Sequence, residues 1–278
     1  MTEIKVMKGA DIKFAKMLSE IEQWGHLTSD FERLSRLDPN GCFVAWDGSA
    51  RAGIVTTVTY KDYAFLGNLI VKQEKRSRGI GLMLMQHSIA YLDKRGVETI
   101  ELDGVFAAVS LYRRLGFRDK YLSLRFVRKP GERRKEAAGA KVCSESSQSL
   151  TLFDREKIGF DRGVFLKELI KDHTDTTYCL TDGKLLAYAV TRGRANGAVH
   201  IGPLVAENRI SCDRLLSTIT PKHNQRILTI GVPEINRAAI EIVLRHCFEY
   251  CPPSLRMYRG SRIDYERHVY GIVSSDVG

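Results

Sequence analysis

The run from Tyr63 to Gly96 constrains this chain more than any other stretch. Tyr63–Val71 reads as a strand, Lys72 to Arg78 is polar and basic, and Gly79-Ile80-Gly81 opens a segment in which Ile80, Met83, Leu84, His87 and Tyr91 fall on one helical face. Gly96 ends that helix, and Val97–Asp103 is extended again. A strand, a crossover helix and a second strand imply a parallel pair within one sheet. Ahead of it, Cys42–Trp46, a turn at Asp47-Gly48 and Ile54–Tyr60 form an antiparallel hairpin that leads into Tyr63–Val71. Ile4–Met7 adds a short strand. Asp11 is expected to cap a helix carrying Ile12, Ala15, Leu18 and Ile21, and Ser29-Asp30-Phe31-Glu32 reads as a capping box for a second helix that stops at Asp38-Pro39-Asn40-Gly41. A short helix at Ser110–Leu115, a break at Gly116-Phe117 and a strand at Tyr121–Val127 follow. The expected fold class is α/β of the α+β type, with a mixed, mostly antiparallel sheet, a central parallel pair and helices on both faces.

From Leu150 the elements recur in similar order, which reads as an internal repeat. A helix is expected near Val164–Ile170, a hairpin from Tyr178–Leu180 to Lys184–Thr191, a strand at Ala198–Val205, a helix at Ile210–Ile219, a strand at Ile227–Val232 and a helix at Ile235–Phe248. The stretch between the halves is poor in large apolar residues and reads as a solvated linker. The expected domains are 1–128 and 150–278, joined by a linker at 129–149.

The chain has 278 residues, enough for two ordinary domains, and its composition of 44% hydrophobic residues excludes disorder throughout. No apolar stretch approaches the roughly 20 residues of a membrane span, and the first residues lack the order of a signal peptide, so a cytoplasmic location is expected. The 6 cysteines read as reduced thiols, and His246, Cys247 and Cys251 have no second pair to complete a tetrahedral set, so no metal is expected. A net charge of +10 requires an anionic partner. No base-reading module is recognisable, so that partner is not expected to be nucleic acid.

The segment Gln73-Glu74-Lys75-Arg76-Ser77-Arg78-Gly79-Ile80-Gly81 supplies what a pyrophosphate needs: glycines that allow close approach, free helix N–H groups and basic side chains. It is neither a Walker loop nor a dinucleotide fingerprint. With Arg76, Gly79 and Gly81 in an Arg-x-x-Gly-x-Gly pattern, and Leu111-Tyr112-Arg113-Arg114-Leu115-Gly116-Phe117 at the customary distance, the first half resembles the GNAT superfamily of acyl-CoA-dependent N-acyltransferases. The second half is similar to the second domain of tandem GNAT proteins, including Arg256-Met257-Tyr258-Arg259-Gly260 near its end. In place of the cradle it has Ile201-Gly202-Pro203-Leu204-Val205-Ala206-Glu207-Asn208-Arg209, without paired glycines, and its phosphate site is expected to be degenerate.

The resemblance implies acetyl transfer from acetyl-CoA to the amine of a small or amino-acid-like acceptor, by direct attack in a ternary complex. Arg76, Ser77, Arg78, Gly79, Ile80 and Gly81 would hold the pyrophosphate, Leu69, Ile70 and Val71 the pantetheine, and an N–H near Ile70 the oxyanion. Tyr112 would protonate the departing thiolate. The strand carboxylate of many relatives is replaced here by Gly67 and Asn68. Asp103 is then the first choice of base, with Glu101 on the same strand face, the loop residues Glu22, Trp24 and His26 beside the acceptor, and a relaying water as further options. Asn68 is counted with the acceptor site. A different class stays open: a CoA- or ligand-binding sensor that transfers nothing. The acceptor's identity and the choice between monomer and homodimer are not legible.

Overall fold

The computed structural model of the chain describes residues 1–131 and 140–278. The first half contains β1 (Thr2–Val6), α1 (Gly9–Ile21), α2 (Thr28–Leu37), β2 (Cys42–Asp47), β3 (Ala50–Tyr60) and β4 (Tyr63–Val71). It continues with α3 (Ile80–Lys94), β5 (Thr99–Gly104), α4 (Val109–Arg114) and β6 (Arg118–Arg128). The second half contains β7 (Ala140–Val142), α5 (Ser147–Ile158), α6 (Gly163–Asp172), β8 (Thr177–Asp182), β9 (Lys184–Gly193) and β10 (Val199–Ala206). After these come α7 (Arg209–Lys222), β11 (Leu228–Pro233), α8 (Arg237–Arg245), β12 (Glu249–Gly260) and β13 (Val269–Gly271).

Two compact units form, and neither is a single run of chain. One comprises Met1–Asp119, Met257–Arg262 and Asp276–Gly278; the other comprises Lys120–Arg256 and Ile263–Ser275. In the first unit, β1, β2, β3 and β4 are joined antiparallel in sequence order, and β5 is parallel to β4. Beside β5 lies the end of β12. Thr99 Oγ1 donates to Ser261 O at 3.0 Å, and Gly260, at φ +96°, backs onto Glu98 O so closely that a Cβ would collide with it. From Lys120 onward β6 belongs to the second unit, where Ser123 to Arg128 pair antiparallel with Pro233 to Leu228 of β11.

Cross-strand register fixes which side chains share a face of the first sheet. Thr56 opposes Gly67, Val58 opposes Phe65 and Tyr60 opposes Tyr63, while Phe65 opposes Glu101 on β5. Glu101 and, two residues on, Asp103 therefore share the face of Phe65 and Gly67. The opposite face carries Phe43, whose ring meets the edges of His87 and Tyr91 of α3 at 4.6 and 5.4 Å between centroids. Asp11 does not precede α1 as its cap. It lies inside the first turn, and its carboxylate accepts the Lys8 N–H at 2.8 Å, the inner half of a capping box. Asp30 does the same for Leu27 at the start of α2.

The second unit repeats the pattern: β8 and β9 form a hairpin, β10 is antiparallel to β9 and parallel to β11, and Leu215, Leu216 and Ile219 of α7 are buried in its core. Of the linker expected over 129–149, residues 132–139 lie outside the described residues. Part of the remainder is structured rather than loop. Ala140–Val142 pair with Leu180–Tyr178, and the Ser146 side chain caps α5 by accepting the Ser149 N–H at 3.1 Å.

Candidate active site

The parallel register of β4 and β5 runs through Tyr63–Thr99, Ala64–Ile100 and Phe65–Glu101 and stops there. On its other edge β4 stays paired with β3 as far as Val71, but with a bulge: Ile54 opposes Ile70 and Thr56 opposes Gly67, so that Val55 faces both Asn68 and Leu69. Asn68 takes φ +51° to make this bend. Leu69, Ile70 and Val71 thus lead away from β5 toward the helix start, with a strand edge that carries no β5 partner among the described residues. A strand edge of this kind offers N–H and C=O groups to an extended amide-bearing ligand.

The helix α3 begins where this edge ends. Its cap is Gly79, at φ +77°, which supplies no side-chain bond, and the first turn holds no acidic residue. The leading N–H groups of α3 are therefore not engaged by a capping side chain, the condition that favours an anion. A Cβ at Gly81 would meet only Leu111 Cδ2 and Val71 Cγ2, both at an ordinary 3.8 Å. Packing alone does not demand glycine there, whereas close approach of a phosphate does. The donor set and the open edge both fit coenzyme A.

The basic residues are arranged less simply than their spacing implies. Arg76 Nε donates to Val71 O at 2.9 Å and its guanidinium pairs with Glu22, so Arg76 ties the loop after α1 to the end of β4. Lys75 Nζ donates to Asp47 Oδ2 at 2.7 Å, and this bond holds the Asp47 carboxyl below its ordinary value. Arg78 keeps 60% of its side chain exposed, 3.9 Å from the same carboxylate. Ser77, at φ +62°, turns the loop between them.

Tyr112 is 5% exposed, and burial pushes its hydroxyl up to about 12. Its ring lies against Gly104, where a Cβ would stand 2.8 Å from Cε2, and edge-on to Phe117 at 6.2 Å. Glu101 is fully buried and accepts the Tyr63 hydroxyl at 3.1 Å. Asp103 is half-buried on the same face. His26 is buried edge-on to Phe31, with Trp24 beside it at 6.3 Å. Asn68 is 4% exposed, and its Nδ2 donates to Thr56 Oγ1 at 3.0 Å.

One neighbour of this site is absent from the sequence reading. Residues Asp276–Gly278 pack onto the face of the first sheet that carries Glu101 and Asp103: Tyr60 Oη donates to Val277 O at 2.9 Å, and Gly278 lies against Phe65. Asp276 sits directly over Gly67, where a Cβ would lie 2.6 Å from Asp276 Cα. A carboxylate thus stands at the position where β4 itself carries none. Separation along the chain hid it; Gly67, which admits the crossing backbone, was the only sign.

In the second unit the corresponding groups are occupied by the chain itself. The parallel register of β10 and β11 ends at Ile201–Ile230. Beyond that point β13 pairs with β10 at Leu204–Gly271 and Val205–Val269, while Ile272 N donates to Gly231 O of β11 at 2.9 Å. The start of α7 is closed by Asn208, whose Oδ1 accepts the N–H groups of Ile210 and Ser211 at 3.0 and 3.1 Å. Among the described residues, no group of three or more His, Cys, Asp or Glu could hold a metal, and no helix is long and apolar enough to cross a membrane.

Comparison with known proteins agrees with this geometry. Residues 12–117 match the acetyltransferase (GNAT) family, and residues 150–271 match the acetyltransferase (GNAT) domain. A holothin acyltransferase of Pseudoalteromonas sp. is 26% identical over 263 residues, covering 92% of this chain and 88% of that one. A ribosomal protein bS18-alanine N-acetyltransferase of Salmonella typhimurium is 38% identical over 71 residues, 24% of this chain and 48% of that one. Among solved structures, a putative acetyltransferase from Pyrococcus horikoshii superposes over the whole chain and 96% of its own, with a TM-score of 0.84 at 22% identity. With an unpaired strand edge leading to an uncapped helix start in the first half, and with both halves matched, the chain belongs to the GNAT superfamily of acyltransferases as a tandem protein.

Proposed function

We propose that this protein transfers an acetyl group from acetyl-CoA to the amine of a small or amino-acid-like acceptor, and that the unit built from Met1–Asp119, Met257–Arg262 and Asp276–Gly278 performs the chemistry, the other unit being a companion copy. The observation that carries the reading is the pairing of a β4 edge free of β5 with the α3 N-terminus capped only by Gly79. Leu69, Ile70 and Val71 would hold the pantetheine, and the amides of Ile80 and Gly81, with Ser77, Arg76 and Arg78, the pyrophosphate. Bound acetyl-CoA would supply an activated acyl group as a thioester. The N–H near Ile70 would stabilise negative charge on a carbonyl oxygen. Tyr112, kept protonated by burial, has a proton to release to a departing thiolate.

Glu101 and Asp103 put negative charge on the acceptor face, which suits a cationic amine. Glu22, Trp24 and His26 would line the acceptor's approach, and the Arg76–Glu22 pair ties the loop that carries them to the cradle. In the second unit, β13 and Asn208 already satisfy the groups that a cofactor would use, which supports a single cofactor site per chain.

The test is a panel of amines with mass-spectrometric identification of the product. It includes holothin and the alanine-headed start of ribosomal protein bS18, the acceptors named for the two relatives. Acceptor-dependent thiol release supports transfer. Acetyl-CoA binding without any such release would instead make the protein a sensor.

A further inference from the structure

Asp276 has the environment of a group that does more than anchor a tail. It is 6% exposed, its Oδ2 stands 3.5 Å from Asn68 Nδ2, and its Oδ1 is buried without a hydrogen-bond partner among the described residues. Asn68 Oδ1 is likewise buried and unpartnered. Two acceptor atoms left over at one bend of β4 are costly unless an N–H donor meets them. They lie at the bulge, within two residues of the Ile70 amide, on the sheet face that also carries Glu101 and Asp103. Glu101 is already engaged by Tyr63.

We propose that Asp276 is the carboxylate that receives the acceptor amine in the transfer reaction proposed above, on which this inference rests, with Asn68 Oδ1 as a second hydrogen-bond acceptor. Asp276 takes one proton from the acceptor ammonium and passes it to solvent. The freed nitrogen lone pair forms the C–N bond to the thioester carbonyl carbon, the C–S bond breaks, and its electron pair leaves on sulfur. Tyr112 gives sulfur a proton, and the second proton lost by nitrogen restores that of Tyr112. The sum is ammonium plus thioester giving amide, thiol and one proton. The position that β4 surrenders at Gly67 is thereby refilled from the far end of the chain. The acceptor is a primary ammonium rather than an alcohol or a thiol, because the two free acceptor atoms require a donor with several hydrogens.

The groups around Asp276 that also titrate are Tyr60, Tyr63, Glu101 and Asp103, so the test separates it from them. Wild type, Asp276→Asn and Asp103→Asn are compared in kcat/KM from pH 5 to 10, in acetyl-CoA affinity by calorimetry, and in thermal midpoint. Asp276→Asn should lower kcat/KM on the order of 10²-fold and leave acetyl-CoA affinity and midpoint within error. In Asp276→Gly, formate should restore rate in proportion to its concentration, a response that a merely structural residue does not give. If the wild type is active and Asp276→Asn keeps its rate, Asp276 is not the base, and a loss of rate in Asp103→Asn alone moves the role to Asp103. Should the Asn variant fail to fold, absence of formate rescue in Asp276→Gly overturns the inference equally. A wild type that binds acetyl-CoA but acetylates no amine would overturn the transfer reading, and this inference with it.

Discussion

Gly67→Ala probes the tail contact without touching an ionisable group. The new methyl would lie 2.6 Å from Asp276 Cα and 2.8 Å from its Cβ. Neither is the far end of a side chain that could swing aside. If the tail stays, the strained contact costs about 1–3 kcal/mol, as overpacked sites do. If it leaves, the Tyr60 bond to Val277 O is lost, about 1 kcal/mol. The burial of Val277, 4% exposed, goes with it, about 2 kcal/mol. Freedom regained by three residues returns about 1–2 kcal/mol each. These opposing terms cancel to within a few kcal/mol, so release is the cheaper response. We expect the denaturant midpoint to report less than about 1 kcal/mol of lost stability, amide exchange at Asp276–Gly278 to become fast, and kcat/KM to fall as far as in Asp276→Asn. In a chain stopped after Ser275, the same substitution should change neither stability nor rate, since the two perturbations remove one contact. Retained protection of the tail with a rate within twofold of wild type would refute the reasoning. So would an equal loss of rate in the shortened chain.

Four further outcomes follow from the site. Tyr112→Phe should cut kcat on the order of 10²-fold with acetyl-CoA affinity unchanged by calorimetry; equal loss of both would remove the acid role. Burial raises the Tyr112 hydroxyl to about 12, above its unfolded value of 10.0. Its stabilising share is therefore fully present below pH 10 and lost as pH rises toward 12, amounting to about 3 kcal/mol. Urea titrations of wild type and Tyr112→Phe across that window should show the extra loss only in wild type. Gly79→Ala meets no protein atom within 4 Å but forces a methylated residue to φ +77°, at about 1–2 kcal/mol. It should weaken acetyl-CoA binding about tenfold without changing the pH dependence of the rate. Calorimetry should give one acetyl-CoA per chain, and a stoichiometry of two would show that β13 yields its place.

Most elements of both halves could be read from the sequence because local signals set them: alternation in β3 and β4, the left-handed glycine before α3, Gly96 after it. What escaped was non-local or short. β13 is a three-residue strand whose partners are Leu204 and Val205, more than sixty positions earlier. The capped start of α5 and the strand β7 were hidden in a polar run, since polar residues suit an exposed edge and a helix cap as well as a linker. At the candidate site, the cradle and Tyr112 were legible as a motif, while the basic side chains were not. Lys75 and Arg76 are expected around the cradle, but each is paired with a carboxylate, Asp47 and Glu22, that spacing does not connect to it. Asp276 meets Asn68 across 208 positions, and no periodicity reaches that far.

The two units meet one backbone problem with different answers. Splaying a parallel pair leaves backbone groups on the diverging edge without partners, and buried groups of that kind are unfavourable unless something bonds them. In the second unit the chain answers internally. β13 pairs with β10, Ile272 bonds to β11, Gly202 and Gly231 leave room for Ile272, and Asn208 takes the first N–H groups of α7. In the first unit neither answer is given: Gly79 has no side chain to cap α3, and among the described residues no strand pairs with Leu69–Val71 on the β5 side. On the function proposed above, a ligand with its own amides and phosphates would meet the groups left open there, so that the same splay would be a packing problem in one unit and an affinity in the other. Asp276–Gly278 approach the first sheet through its face at Gly67 rather than along the open edge, which leaves the edge free while bringing a carboxylate to the bulge.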